Sequence, residues 1–263
     1  MGLGKTAGVV IGSFPLGESD RLVTFFSREF GKIRGVAKAA RRLRSRFSGA
    51  LELLTLGQLV FFESERSDLV QVDHFDVIRP FARVRESLDA LGQAAWMAEC
   101  VGRLTAERDP NVAVYGLLVR ALRSMEAGLP PRRVAVVFGL RCVDALGHRL
   151  RADACVVCGR RRPPESPGAV TVDVEAGGVV CGPCATGAPG LARVEPASLS
   201  ALRRLRTLAW DEATGRRLGA AEGELRELLD LQVAQLGGQA PRASRFVREV
   251  ERFSPYRGGR ERV

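Results

Sequence analysis

Two hydrophobic periods divide this chain. Over residues 6–77 apolar and polar positions alternate in short runs rich in β-branched and aromatic side chains, the pattern of half-buried strands. Strands are expected at 7–14, 20–28, 32–40, 51–62 and 69–77. The Glu29-Phe30-Gly31 link between the second and third supplies the glycine of a tight hairpin, and 41–49 forms a long loop leaving the third. Five short strands in so little chain suffice to close a small barrel. Such a barrel is typically an OB-fold, which binds nucleic-acid strands across one face.

After Pro80 the period changes to that of helices. Leu88, Leu91, Ala95, Ala98, Val101 and Leu104 share one stripe, as do Val114, Leu118, Ala121 and Met125, and then Val134, Val137, Phe138 and Cys142. Asp109-Pro110 and Pro130-Pro131 stand where helices start, and Gly128 and Gly147 where they stop. A segment rich in Cys, Gly and Pro interrupts the pattern over 152–190; helical period resumes with Leu199, Leu202 and Leu205 and again with Leu225, Leu228 and Leu229. The fold class expected is α+β. It comprises a five-stranded barrel over 1–80, a helical domain in two parts (81–150 and 191–252), an inserted lobe at 151–190, and a basic tail at 253–263 on which no structure is expected.

Charge adds a direction to this plan. The chain has 263 residues, 46% of them hydrophobic, and a formal charge of +10, which favours association with polyanions but says nothing about fold. The cations are concentrated: between Glu29 and Glu52 there is no carboxylate, yet Lys32, Arg34, Lys38, Arg41, Arg42, Arg44 and Arg46 all lie there. Lys32, Arg34 and Lys38 share parity, so a strand through them presents all three on one face, with same-face neighbours ~6.6 Å apart at ~3.3 Å per residue. That spacing suits a phosphate backbone. A solvated charge run is the competing reading, but a merely soluble surface usually mixes signs. No apolar run reaches the ~18 residues of a membrane span, and the first residues lack the apolar core of a signal peptide; a cytoplasmic location is expected, with no membrane partner. The Gly4-Lys5-Thr6 triplet imitates the end of a phosphate-binding loop without the strand and earlier glycine such a loop requires.

The cysteines carry the sharpest local signal. Cys155 and Cys158 form one CxxC pair and Cys181 and Cys184 another, with 22 residues between the pairs. This is the ligand inventory of a closed, tetrahedral four-thiolate Zn2+ site, which stabilises a lobe too small to have its own core. Cys181-Gly182-Pro183-Cys184 also matches the redox motif of thioredoxin-like proteins, although that motif works without a second CxxC. A catalytic zinc deaminase needs His-x-Glu, and neither His74 nor His148 is followed by Glu at that distance. Cys100 and Cys142 fall within apolar helical stripes and read as buried thiols.

Phe25-Phe26 and Phe61-Phe62 are adjacent pairs within strands, so one ring of each must leave the barrel interior. An outward ring either stacks on bases or packs the barrel onto the helices. Two histidines, with no nucleophile constellation or paired catalytic carboxylates, give no basis for an enzyme.

Taken together, the motifs resemble the RecO family of recombination mediators. The likeness runs through SFPLGESDRLVT at Ser13 to Thr24, FGKIRGVAKAARR at Phe30 to Arg42, Ser45-Arg46-Phe47, Leu51-Glu52-Leu53, CVVCG from Cys155 and GGVVC from Gly177. Ala39 departs from it, standing where the family usually has glycine, and so does His148, where an aromatic is common. The resemblance implies an N-terminal OB-fold, a helical C-terminal domain and a four-cysteine zinc lobe. It implies a non-enzymatic protein, nucleoid-associated in the cytoplasm, that binds single- and double-stranded DNA and anneals complementary strands. With RecR, it would help RecA load onto DNA coated by single-strand binding protein, SSB, gripping the acidic SSB tail; Arg120, Arg123, Arg132 and Arg141 lie on helices that could frame a groove for that tail. An RNA-binding OB protein, a thiol–disulfide oxidoreductase using Cys181 and Cys184, and an adaptor with secondary DNA contact remain the alternatives.

Overall fold

The alternation of the first third of the chain closes on itself. In the computed structural model, which describes residues 2–64, 67–161, 168–185 and 191–253, five strands form a closed barrel in the order β1-β2-β3-β5-β4. They are β1 (Leu3–Leu16), β2 (Asp20–Ser27), β3 (Gly31–Ala37), β4 (Leu56–Ser64) and β5 (Ser67–Arg79). Neighbours are antiparallel except β3 and β5, which meet in parallel at Gly35–Val70 and Val36–Gln71. This is the expected OB-type barrel on an α+β chain.

Strand parity sorts the apolar residues into two cores. Val10, Val23, Phe25, Ile33 and Phe61 fill the barrel. Val9, Ile11 and Phe26 point the other way, into a core shared with the helices. A bulge in β1, where the register passes from Val10–Phe25 to Gly12–Thr24, leaves Ile11 as the extra residue. Phe26 is fully buried, so this outward ring packs the barrel onto the helices rather than facing bases. Phe62 is half-buried.

The outer strands run longer than expected, with β1 starting at Leu3 rather than 7 and β5 spanning Ser67–Arg79 rather than 69–77, and two further differences shape the basic loop. β3 stops at Ala37 rather than continuing to 40, because Ala39 takes a left-handed conformation at φ 56°. β4 starts at Leu56 rather than 51. The apolar residues that imitate a strand there are loop residues that plug the barrel: Phe47 and Leu51 are buried in its core, and Leu54 in the helical one.

The helices are α1 (Ala82–Glu86), α2 (Leu88–Leu104), α3 (Val112–Glu126) and α4 (Pro131–Ala145). Ser87 and Asn111 side chains cap α2 and α3 by accepting from Ala90 N and Val114 N. A small sheet of order β7-β6-β8 interrupts the helices, built from β6 (Val170–Asp173), β7 (Gly178–Val180) and β8 (Leu191–Val194). Then follow α5 (Pro196–Thr207), α6 (Trp210–Gly215), α7 (Ala221–Gly237) and α8 (Arg242–Phe253). Helix α8 is an element that the sequence pattern hides: Pro241 reads as an interruption but stands just before the first helical residue, where a missing N–H costs nothing. Asp230 of α7 secures it, accepting from Ser244 Oγ at 2.8 Å and pairing with Arg248 at 3.6 Å while also accepting from Trp96 Nε1 at 2.7 Å. Most of the expected basic tail, residues 254–263, lies outside the described residues.

A polar junction at the end of α2 fixes the barrel to the helices, alongside Arg85 of α1, whose Nη2 donates to Leu53 O at 2.8 Å and Thr55 Oγ1 at 2.7 Å. Helix α2 ends against the start of β3, and its last carbonyls need donors. Lys32 supplies them: Nζ donates to the carbonyls of Gly102 and Thr105, each at 2.8 Å, and pairs with Glu107 at 3.6 Å. The backbone closes the same seam, with Arg108 N donating to Lys32 O at 2.9 Å. Gly31 lets the chains approach: at φ 63°, a Cβ there would stand 2.1 Å from the Asp109 carbonyl oxygen. Lys32→Met, which keeps the stem and removes the donor, is therefore expected to lower unfolding free energy by about 1.5–3 kcal/mol, the value of a hydrogen bond to a charged group. Gly31→Ala should cost more, since backbone and not a side-chain tip must move. Urea denaturation checks both, and an unchanged midpoint for Lys32→Met would rule out this role.

Candidate nucleic-acid interface and metal centre

The carboxylate-free basic stretch becomes a loop that leaves β3 and lies over the β1–β2 turn. Asp20 organises its start. One carboxylate oxygen accepts from Ala39 N at 2.8 Å and from Ser19 Oγ at 2.9 Å. The Ala39 bond first, then the Ser19 bond and the charges of Lys38 and Arg42, hold the Asp20 carboxyl below the ordinary value of 3.8. Ala39 is held at its positive φ by this bond, in a conformation that an L-residue enters at a cost of roughly 1–2 kcal/mol. Arg41 grips the turn next to it: its N donates to Ser19 O, and Nη1 donates to Gly17 O at 2.9 Å and Glu18 O at 3.1 Å. Downstream, buried Phe47 anchors the loop in the barrel core, with the Arg46 guanidinium 5.1 Å from its ring centre.

The seven sequence-singled cations therefore hold different positions. Lys32 leaves the surface for the α2 junction, its side chain only 13% exposed. Arg34 pairs with Glu107 at 3.5 Å and Arg46 with Asp73 at 3.5 Å, both half-exposed, so these pairs are weak and exchangeable. Arg41 shapes the loop. Lys38, Arg42 and Arg44 are exposed, and their side chains form no hydrogen bond or ion pair among the described residues. Leu43, between two of them, is fully exposed. The expectation that Lys32, Arg34 and Lys38 share one strand face fails at its third member, because the strand ends one residue earlier. Sequence reasoning, which sought adjacent ring pairs, missed Phe14: on β1 opposite Leu22, it is 61% exposed near the turn that Arg41 grips. Its neighbour Pro15, which ends the apolar run, was the available signal.

The inserted lobe brings both CxxC pairs together. The Sγ atoms of Cys155, Cys158, Cys181 and Cys184 all lie within 4.8 Å of one another, with Cys158 and Cys181 3.6 Å apart. Four thiolates at Zn–S distances of about 2.3 Å would have edges of ~3.8 Å, so the cluster matches the size of a tetrahedral metal shell. Backbone pairing creates this convergence: Arg151 N donates to Gly177 O and Arg151 O accepts from Val179 N, each at 2.8 Å, while Val156 N donates to Val179 O. Each pair is a compact turn, closed by Gly159 N to Cys155 O at 2.9 Å and by Cys184 N to Cys181 O at 2.8 Å. Backbone N–H bonds from Cys158 and Cys181 draw the Cys155 thiol down to about 6. Cys184, bonded to the Cys181 and Cys158 thiols, is pushed up to about 12. Four thiolates at this separation need a cation among them, and these four residues could hold a metal ion. His148 is exposed and outside the cluster, and Cys100 and Cys142 are buried thiols, as expected.

Arg120 and Arg141, which lie on helices that could frame a tail-binding groove, flank the Trp210 ring at 5.4 and 5.5 Å from its centre, and Arg141 Nη2 donates to Leu208 O at 2.6 Å. They hold α6 in place. Among the described residues no helix is long and apolar enough to cross a membrane.

Comparison with known proteins agrees with this architecture. A family model described as Recombination protein O N terminal matches residues 1–81, and one described as Recombination protein O C terminal matches 85–245. A protein of Anaeromyxobacter dehalogenans (strain 2CP-C) named DNA repair protein RecO is 36% identical over 257 residues, covering 97% of this chain and 98% of the relative. Relatives of the same name from Syntrophus aciditrophicus and Listeria monocytogenes serotype 4b (strain CLIP80459) are 27% identical over 255 residues (95% of this chain and 96% of the relative) and 30% identical over 180 residues (68% of each).

The Asp20 carboxylate yields a prediction about the arm. Its depressed pKa means that its contribution is full above the ordinary 3.8 and is lost as pH falls through the lower folded value. Asp20→Ala removes the same bonds at neutral pH. Trypsin cleavage after Arg41, Arg42 and Arg44 should then accelerate several-fold with little change in the global unfolding midpoint; equal cleavage of variant and wild type would show that Asp20 does not restrain the loop.

Proposed function

The chain belongs to the recombination protein O family, which gives it a role in recombination repair, and on that premise we propose that it binds single- and double-stranded DNA through the loop following β3 and anneals complementary strands. The observation that carries this reading is the trio Lys38, Arg42 and Arg44: exposed, without protein partners among the described residues, on a loop fastened at both ends by Asp20 and Phe47. Fastened cations meet phosphates without first surrendering much loop entropy. Arg34 and Arg46 join by exchanging a weak surface pair for phosphate, and Arg41 keeps the loop in position. These contacts carry no base information, as annealing of any sequence requires. Bringing two polyanions together then becomes a matter of neutralising their repulsion. Exposed Phe14 offers a face on which a base can stack, worth ~1–3 kcal/mol.

The same reading gives the protein its partners: RecR, the acidic SSB tail and, through them, RecA. The four-cysteine lobe holds one Zn2+ through Cys155, Cys158, Cys181 and Cys184; a bound zinc supplies closed, structural coordination and no reactive position. The geometry argues against a redox enzyme using Cys181 and Cys184, because Cys155 and Cys158 converge on the same point, with all four Sγ atoms within 4.8 Å of one another, whereas the redox motif works as a single pair.

Two measurements test these statements. For single-stranded DNA the slope of log affinity against log salt should fall by about 2 in a Lys38→Ala, Arg42→Ala, Arg44→Ala variant, at ~0.7 per lost phosphate contact, while Lys32→Met leaves it unchanged. A slope that survives the triple replacement refutes the loop as the DNA site. Protein purified without chelator should contain about one zinc per chain, as a closed thiolate site does, and stripping it should raise amide exchange across β6 and β7. Absence of metal together with insulin reductase activity would favour the oxidoreductase instead.

A further inference from the structure

A second cationic feature lies far along the sequence from the barrel loop, where the cysteine lobe meets α5. A cleft of about 550 Å³ opens there, and among the described residues five arginines line it against one carboxylate: Arg149, Arg151, Arg161, Arg203 and Arg206, with Asp153. The arginines fall into two sets. Arg203 and Arg206 come from α5 and form the inner wall. Arg206 has a side chain only 5% exposed, donates from Nη1 to Leu150 O at 2.9 Å, and pairs with Asp144 at 2.8 Å. Its Nε is buried with no hydrogen-bond partner. Arg203 donates to Ala152 O and pairs with Asp153 at 3.1 Å. The second set, Arg149, Arg151 and Arg161, is exposed, with side chains that make no bond or ion pair among the described residues. Their backbone is nonetheless held: Arg151 bridges to Gly178, and Arg161 to Ala154.

We propose that this cleft is a second nucleic-acid site, taking the phosphodiester backbone of a DNA strand other than the one on the barrel loop. The inference rests on the DNA-binding reading above and extends it. Its chemistry follows from what the wall offers. Donors are in excess: the Leu150 and Ala152 carbonyls already accept from Arg206 and Arg203, and Asp153 is engaged by Arg203. An acidic peptide would bring its own N–H groups and find few acceptors, whereas a phosphodiester brings only acceptors. Among the described residues no aromatic side chain lines the cleft, so none there stacks a base, and a free nucleotide would leave its base unrecognised. Guanidiniums fork onto phosphate oxygens, and the exposed side chains of Arg149, Arg151 and Arg161 carry donors that no group among the described residues uses. An annealing protein requires a place for each strand, and two separated cationic sites on one chain satisfy that without base readout.

The test uses the full chain and a thymidine homopolymer of roughly 12 nucleotides, short enough to occupy one site given the ~4–16 nucleotides that an OB barrel covers. Wild type should bind a second strand per chain. The Arg149→Glu, Arg151→Glu, Arg161→Glu variant should keep its first-site affinity, bind the second strand more weakly with a salt slope lower by about 2 at ~0.7 per contact, and anneal complementary strands more slowly. Should the charge reversals impair folding, judged by circular dichroism and zinc content, Arg→Gln at the same positions gives the same test. A rim variant with wild-type stoichiometry and slope overturns the cleft while leaving the loop reading intact, provided that the Lys38, Arg42 and Arg44 replacements still weaken the first event. If neither set matters, both readings fall. Displacement of the second strand by inorganic phosphate supports a phosphate site, whereas a polyglutamate peptide that binds the cleft in preference to the oligonucleotide overturns it.

Discussion

One ammonium group fixes the relation between the two halves of this protein. Lys32 reaches from the first residues of β3 to the open carbonyls at the end of α2, where the helix dipole also favours positive charge. Gly31 beside it has no side chain to keep the 105–110 segment away, and Arg108 N bonds to the Lys32 carbonyl. The barrel consequently cannot rotate against the helices without breaking charged hydrogen bonds at a nearly buried site. Val9, Ile11 and Phe26 add non-directional burial to the same interface, but the lysine supplies its direction.

That choice has a consequence for the surface. A cation committed to the interior is lost to a ligand, so the basic stretch is not a uniform strip. It is graded along the chain, from Lys32 that builds, through Arg34 that is lightly paired, to Arg41 that shapes a turn and Lys38, Arg42 and Arg44 that are free. Reading the stretch as seven equivalent contacts overestimates the charge available to phosphate. The loop stays in place despite its self-repulsion because Asp20, from the start of β2, sets a negative charge against its first turn, and Phe47 contributes apolar burial at its other end.

How much of this was legible in the sequence depended on whether a residue's role was local. Barrel strands, helix starts at Pro131 and near Asn111, and the paired CxxC turns follow from neighbours a few positions away, and they appear where the pattern places them. Errors arose where a distant part of the chain decided the outcome. Parity assigns Lys32 to the outer face correctly, yet only the fold reveals that α2 ends on that face. Leu51 and Leu54 have strand-like character because they are buried, but they are buried as a plug. Ala39 lacks the glycine that would announce a left-handed turn, and the Asp20 side chain, distant in sequence, holds the conformation instead. Helix α8 was hidden because Pro241 reads the same whether it breaks a helix or begins one, and its docking partner Asp230 lies on another element.

The cysteine lobe and the arginine cleft are one construction. Arg151 contributes its backbone to the pairing with Gly177 and Val179 that carries the second CxxC towards the first, and its side chain to the cleft rim. Gly159, which closes the first CxxC turn by bonding Cys155 O, also lines the cleft. The spacing of the rim guanidiniums is therefore set by the same hydrogen bonds that gather the thiols. A metal held by the four sulfurs would constrain those bonds far more strongly than a three-stranded sheet of three or four residues per strand can by itself. Such a metal, without touching anything in the cleft, would keep the like charges of the rim at a fixed separation that their mutual repulsion otherwise widens.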